Sequence, residues 1–339
     1  MRLSDLDYEL PPELIAQEPP ERRDHARLLV VDRKARSFEH SRFDKLARHL
    51  REGDLLVLND TRVFPARLRV QKPSGGKVEL LMIQRLANDS SRWLALVRSR
   101  RPLTAGSELI LPCGARLKVE GFERPGRVIV SSVGPQSLEE IINQCGELAL
   151  PPYIRRVIKA EDAERYQTVY ASNTGSVAAP TAGLHFTEQL LSDLAKEGIN
   201  SARLTLHIGP GTFVPIRTEQ VERHSMEPEW YVISPSTVEA IEHTRRTGGR
   251  VIAVGTSTVR ALESYAITGQ TEGKTGLFVY PGFRFRLVEG MITNFHLPRS
   301  TVLAMVMAFT GRELTLAAYK EAIQRRYRFL SYGDAMLIL

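Results

Sequence analysis

The chain has 339 residues, 42% of them hydrophobic and 25% charged, and a net charge of +7. That length is generous for one hydrophobic core and predicts two domains, the composition is that of a soluble globular protein, and no apolar run approaches the roughly 18 residues of a bilayer-spanning helix. The acidic opening MRLSDLDYEL lacks the basic and apolar regions of a signal peptide, so a cytoplasmic protein without a membrane partner is expected, and the positive balance is compatible with a polyanionic partner without requiring one.

The first elements are continuous apolar runs. Leu28 to Val31 and Leu55 to Leu58 read as strands buried on both faces, with helical spacing between them from Phe43 to Leu50. From Val63 to about Ser132 the texture changes to six short strand signals. Ala66, Leu68 and Val70 alternate with Arg67, Arg69 and Gln71, and runs follow at Val78 to Ile83, Trp93 to Val97, Glu108 to Leu111, Arg116 to Phe122 and Val128 to Ser131. Turn residues separate each pair, the pattern of a small antiparallel barrel or sandwich, and a short helix from Leu138 to Gln144 closes the segment before Pro151-Pro152.

Strands and helices then alternate. Thr187 is a plausible N-cap for a helix ending at Gly198, strand Arg203 to Ile208 follows, and Ser236 with Glu239 suggests a capping box for Val238 to Arg246. Strand Val251 to Val254 comes next, with Ser257 as the expected N-cap of the following helix. Thr301 to Phe309 is apolar all round and should be buried. The fold class expected is therefore α/β, with a small antiparallel β-domain (62–151) inserted in a larger α/β domain built from 1–61 and 152–339.

Four kinked segments rich in Gly, Pro and Thr each present a histidine or an arginine: Gly175 to Phe186, Leu204 to Phe213, Val251 to Ser264 and Thr293 to Ser300. Together they suggest one concave site built from several strand ends. Arg260 falls in the first turn of its helix, where the macrodipole disfavours a cation; it either shares a bound anion with Thr256 and Ser257 or reaches solvent or a carboxylate instead. His185, His207 and His296 each adjoin a Gly or Pro loop and could be acid, base or hydrogen-bond donor, or plain structural histidines. Asp60, in Asn59-Asp60-Thr61-Arg62, could orient a histidine, hold a ribose hydroxyl or cap a turn. The last helix, Leu316 to Phe329, carries Arg325, Arg326 and Arg328 beside Tyr319 and Tyr327, either a phosphate-binding face with stacking aromatics or a solvated face.

Two cysteines, Cys113 and Cys145, are too far apart for a CxxC motif, and a reducing compartment argues against a disulfide. The eight histidines show no zinc-type spacing, so no metal is expected. There is no GxGxxG, Walker loop or nucleophile elbow.

The stretches GDLLVLNDTRVFPARL, GSVAAPTAGLHFT, LHIGPGTFVPI, VIAVGTSTVRALES and TNFHLPRSTVLAMV, with others nearly end to end, closely resemble the S-adenosylmethionine:tRNA ribosyltransferase-isomerases of queuosine biosynthesis. The resemblance implies a Greek-key-type β-barrel inserted in an α/β sandwich. It also implies transfer and isomerisation of the ribosyl part of S-adenosylmethionine onto tRNA bearing 7-aminomethyl-7-deazaguanine at the wobble position, giving epoxyqueuosine with release of adenine and methionine. S-adenosylmethionine is then a co-substrate, no resident cofactor is expected, and the protein is expected to be a monomer. Read this way, His185, His207 and Asp60 are the candidates for catalysis. Arg62, Thr181, Thr212, Thr256, Ser257, Arg260 and His296 are candidates for substrate binding, and Arg325, Arg326 and Arg328 for tRNA. The family pattern His-x-Met-His meets His224-Ser225-Met226-Glu227 here, so Glu227 receives no role and His224 stays a candidate. A non-catalytic RNA-binding protein explains the charge but not the His, Thr and Arg gathered at strand ends, and a methyl-transfer enzyme would lack its usual glycine-rich turn.

Overall fold

The computed structural model of the protein describes residues 1–86, 89–213 and 215–339. Leu55 and Val57 point to one side of their strand and Leu56 and Leu58 to the other, and each pair enters a different hydrophobic cluster. That two-sided burial makes the strand the centre of a nine-stranded sheet. From edge to edge the strands are Glu272–Thr275, Glu229–Ile233, Asn200–Leu206, Leu55–Asn59, Val251–Val254, Gly290–Asn294, Ala335–Ile338, Arg27–Asp32 and Ser37–Arg42. Asn200–Leu206, Leu55–Asn59, Val251–Val254 and Gly290–Asn294 run parallel, so their carboxyl ends share one edge of the sheet. One face packs on helices Thr256–Thr268 and Thr301–Thr310, the other on Phe43, Leu46, Phe186 and the helix Glu188–Lys196. The arrangement is an α/β sandwich.

The six strand signals between Arg67 and Val133 close into an antiparallel barrel. Leu68, Val70, Val78, Leu80, Leu117, Val119, Val128 and Val130 fill it, each buried aliphatic side chain contributing on the order of 2 kcal/mol. The helix Leu138–Cys145 covers it with Leu138, Ile141 and Ile142, and the reciprocal Ser137 and Glu140 cap fixes its start. Chain segments on both sides of the barrel supply the large sheet. Among the described residues no single helix is long and apolar enough to cross a membrane.

Several expectations are corrected. The segment after Phe43 is a tight 3-10 turn, Phe43–His49, bent at Lys45, and Arg203 to Ile208 is a strand only as far as Leu206. The helix expected from Val238 begins at Pro235, because Ser234 accepts the N–H of Thr237 and Pro235 suits the first turn. The helix Thr256–Thr268 is entered through Gly255 at φ 92°, a backbone few other residues adopt, so Ser257 lies inside it. The last helix stops at Gln324, and Arg326 follows at φ 54°.

The two cysteines are disulfide-bonded, against expectation: Cys113–Cys145 joins the turn after Glu108–Ile110 to the end of the barrel-covering helix. Distance in sequence excludes a metal motif but says nothing about approach in space, and here the Cα atoms are 6.4 Å apart. Thiol titration of the unfolded, unreduced chain should therefore find no free thiol. Reduction should lower unfolding stability by about 2–4 kcal/mol. Two reactive thiols in freshly purified protein would contradict the bond.

Candidate active site

Asn59, 0% exposed at the end of the central strand, organises the shared edge. Its Oδ1 accepts the N–H of Thr61 (3.1 Å) and of Leu206 (3.0 Å), while its Nδ2 donates to the Leu206 carbonyl (2.9 Å) and to Ser257 Oγ (3.0 Å). The two backbone donors fix which end of the amide is oxygen. Because Ser257 receives a hydrogen bond from Asn59, its own O–H is available to a further acceptor.

Ser257 and Thr256 form the first turn of the helix Thr256–Thr268 and line a cavity of about 200 Å³. The leading N–H groups of a helix have no partner inside it and favour an anion. Thr181, Thr293, Asn294 and His296 are among the polar residues of the wall, and Ala178, Ile208, Val279, Leu297 and Met305 among the apolar ones. Arg260 reaches this wall but is already engaged. Its guanidinium is ion-paired with buried Glu229 and donates to the carbonyls of Leu277 (3.1 Å) and Thr275 (3.0 Å). The carboxylate alternative therefore holds for Arg260, and the anion-binding capacity stays with the helix start. One turn on, buried Glu263 accepts the N–H groups of Arg286, Leu287 and Val288 at 2.8–3.0 Å. The helix thus grips both ends of the irregular stretch that carries Val279.

The histidines separate by position. His185 is 2% exposed, lies against Phe43 and does not line this cavity. Asn294 Nδ2 donates both to His185 Nε2 (3.2 Å) and to the Leu330 carbonyl (3.2 Å), while Asn294 Oδ1 accepts from Thr181 (3.0 Å). The amide is thereby oriented, and the Nε2 lone pair of His185 is occupied. Burial drives the His185 pKa down to about 4. These contacts suit a residue that positions Asn294 and Thr181 rather than one that moves protons. His296 does face the cavity; its Nε2 pairs with Thr293 Oγ1 (2.7 Å), and burial lowers its pKa to about 3.

His207 belongs to a second, more open cavity of about 600 Å³ between barrel and sheet. Its Nδ1 pairs with Thr61 Oγ1 (2.8 Å), one ring face stacks on Trp230 at 5.1 Å, and Gly175 packs close to Nε2. Burial lowers its pKa, and the Asp60 charge opposes that shift. Asp60 is buried and accepts from Ser172 (3.1 Å), Asn173 (3.1 Å) and Thr205 (2.6 Å), so its carboxylate is engaged within the fold and lines neither cavity. Ile208, Met226 and Glu229 belong to both cavities, which therefore share a wall.

The remaining candidates lie elsewhere. Arg62 is exposed on the short strand Thr61–Val63 and lines neither cavity, and the side chain of Thr212 is outside the described part. Arg325 is exposed and bonded to Glu321 (3.0 Å), Arg326 is exposed, and Arg328 donates to the Glu18 carbonyl. Tyr319 and Tyr327 are each 1% exposed, so the stacking aromatics expected beside these arginines are core residues. Tyr319 lies on the core-facing side of the helix Arg312–Gln324, and Tyr327, beyond its end, packs with it on Phe295. His224 packs edge-on to Phe278 at 5.3 Å. Among the described residues no group of three or more His, Cys, Asp or Glu side chains is arranged to hold a metal. Asn59, Asn294, Glu229 and Trp230 were not given roles from the sequence; for Asn59, a polar residue ending a continuously apolar strand was the available signal.

Two adjoining cavities thus lie at the ends of parallel strands of an α/β sandwich. The family model described as "Queuosine biosynthesis protein" matches residues 3–338, and the chain belongs to that family. It is 49% identical over 342 residues to the S-adenosylmethionine:tRNA ribosyltransferase-isomerase of Geobacter metallireducens, covering 100% of both chains. The enzyme of the same name from Thermotoga maritima is 48% identical over 342 residues, again covering 100% of both. The crystal structure of the S-adenosylmethionine tRNA ribosyltransferase of Thermotoga maritima superposes with a TM-score of 0.58 at 39% identity, covering 99% of this chain and 100% of that one.

Two outcomes are expected. His185 and His296 are depressed from 6.5, so both stay neutral in the folded protein through the range where the unfolded chain takes up protons. Their contribution to stability is full above about pH 6.5 and is lost as pH falls from there towards 4 and 3. The Cε1–H resonances of both, assigned by substitution, should not titrate between about pH 5 and 8; a midpoint near 6.5 for either would refute the buried neutral state. A Cβ at Gly175 would come within 2.5 Å of His207 Nε2, so Gly175→Ala should displace the ring and lower turnover about tenfold or more while leaving the free energy of unfolding within about 1 kcal/mol of the parent.

Proposed function

We propose that this chain transfers the ribosyl part of S-adenosylmethionine to tRNA and rearranges it there. The acceptor is the aminomethyl group of 7-aminomethyl-7-deazaguanine at the wobble position; the tRNA gains epoxyqueuosine, and adenine and methionine leave. The observation that carries this reading is the pair of cavities with a common wall at the ends of the central strands. Transfer from a small donor to a polynucleotide calls for a sheltered donor pocket and, beside it, an open slot for a base swung out of its stack. Full-length likeness to enzymes named for this activity supports the same assignment.

In the donor pocket the free N–H groups of the first turn and the Ser257 hydroxyl suit the methionine carboxylate. His296, a very weak base at a pKa of about 3, suits hydrogen bonding to the donor more than proton removal. The sulfonium acidifies the neighbouring ribose C5′–H, which favours rearrangement through an ylide. In the acceptor slot His207 is the general base: it takes a proton from the aminomethyl nitrogen and frees the lone pair that bonds to the ribosyl carbon. The tautomer with Nδ1–H donating to Thr61 leaves Nε2 unprotonated for this task, and Trp230 holds the ring plane. A soluble, single-chain protein without a resident cofactor is sufficient for this scheme.

Incubation with S-adenosylmethionine and tRNA bearing the 7-deazaguanine base, followed by mass spectrometry, should yield adenine, methionine and epoxyqueuosine in equal amounts. Release of S-adenosylhomocysteine, or tRNA binding without products, would sink the assignment. His207→Ala should lower kcat about a hundredfold or more with S-adenosylmethionine still bound. Because the His207 pKa is depressed, the parent rate should be level through neutrality and fall only as pH drops below about 6.5.

A further inference from the structure

At the mouth of the second cavity the barrel presents two arginines, beside its own Glu123, to one carboxylate of the sheet side. Arg124 and Arg127 flank the Pro125-Gly126 turn between strands Arg116–Arg124 and Arg127–Val133. Both guanidiniums are ion-paired with Glu227, which belongs to the irregular stretch 224–228 on the sheet side. The side chains of Arg124, Arg127 and Glu227 are 54%, 11% and 36% exposed, so solvent reaches the group from outside while Arg127 is nearly enclosed. Glu123 stands 3.8 Å from Arg124 and 3.4 Å from Arg127, and Lys274 adds a further cation to the same wall. Glu229, the third carboxylate of the wall, is taken by Arg260.

We propose that Arg124 and Arg127 form a subsite for a backbone phosphate of the RNA, and that Glu227 occupies this subsite in the RNA-free protein as a stand-in for the phosphate. The proposal rests on the reading of the acceptor as RNA. A carboxylate and a phosphodiester carry the same single charge and accept from guanidinium forks in the same paired manner. A partly exposed carboxylate is a weak competitor, whereas a polyanion gains counterion release on binding. The exchange has a structural consequence. Met226, next to Glu227, is part of the wall common to both cavities, so release of Glu227 frees the stretch that separates donor from acceptor.

The test is fluorescence anisotropy of labelled tRNA with the full-length protein across a salt series, for the parent, Arg124→Gln, Arg127→Gln, the double variant and Glu227→Gln. S-adenosylmethionine binding and urea unfolding are followed on each. Each arginine variant should weaken tRNA binding roughly threefold to tenfold, and the double variant, which loses the one phosphate contact, should reduce the slope of log Kd against log salt by about one. Glu227→Gln should tighten tRNA binding roughly threefold, because it removes the competitor. If the arginine variants fold and keep the parent Kd and slope, or if Glu227→Gln loosens binding as they do, the carboxylate is only a clasp between barrel and sheet and the proposal is wrong. Should Arg127→Gln fail to fold, exposed Arg124→Gln decides alone, by roughly threefold to tenfold weaker binding and a shallower salt slope. A parent protein that binds no tRNA at low salt would overturn the acceptor reading, and this proposal with it.

Discussion

One buried amide holds the site together. Asn59 satisfies all four of its hydrogen-bonding positions against two strand ends and the helix that opens on the donor cavity. A buried polar group left without a partner costs about 1–3 kcal/mol, so a hydrophobic residue here would strand several backbone groups at once. No smaller polar side chain spans the same set. Everything catalytic in the proposed scheme is measured from this point: Ser257 by its bond to Asn59, His207 by the strand that Asn59 ties down, Thr61 by the turn that Asn59 closes.

A second constraint acts from the helix Thr256–Thr268. Arg260 and Glu263 are both buried and both spent on the chain between Thr275 and Val288. That stretch has no regular structure, yet it flanks the donor cavity through Val279. Two charged side chains of one helix do for it what a ladder of hydrogen bonds does for a strand. Removing either would leave a buried charge or an unpaired backbone group.

Much of the fold was legible because the signals were periodic. Alternation in Ala66 to Gln71 and the continuous runs at Leu55 and Val251 reported one-sided and two-sided burial, and the barrel and central sheet follow from them. Strands such as Glu229–Ile233 and Gly290–Asn294 were not legible: one begins with a carboxylate, buried here against Arg260, and the other begins with glycine and ends in two polar residues. The site was legible as a set of loops but not as a set of roles. Asp60, His185 and Arg260 carry the right chemistry, yet each is engaged by partners far away in sequence, at Thr205, Asn294 and Glu229. The likeness to a known family supplied the reaction; neither it nor residue spacing distinguished a histidine on a cavity wall from one behind it.

The wall of Ile208, Met226 and Glu229 that the two cavities have in common constrains the order of events. On the proposed assignment the ribosyl group passes directly from one compartment to the next, with no intermediate station on the protein. Donor and acceptor must then be resident together, and the steady-state pattern is sequential, with intersecting double-reciprocal lines, instead of one substrate leaving before the other arrives.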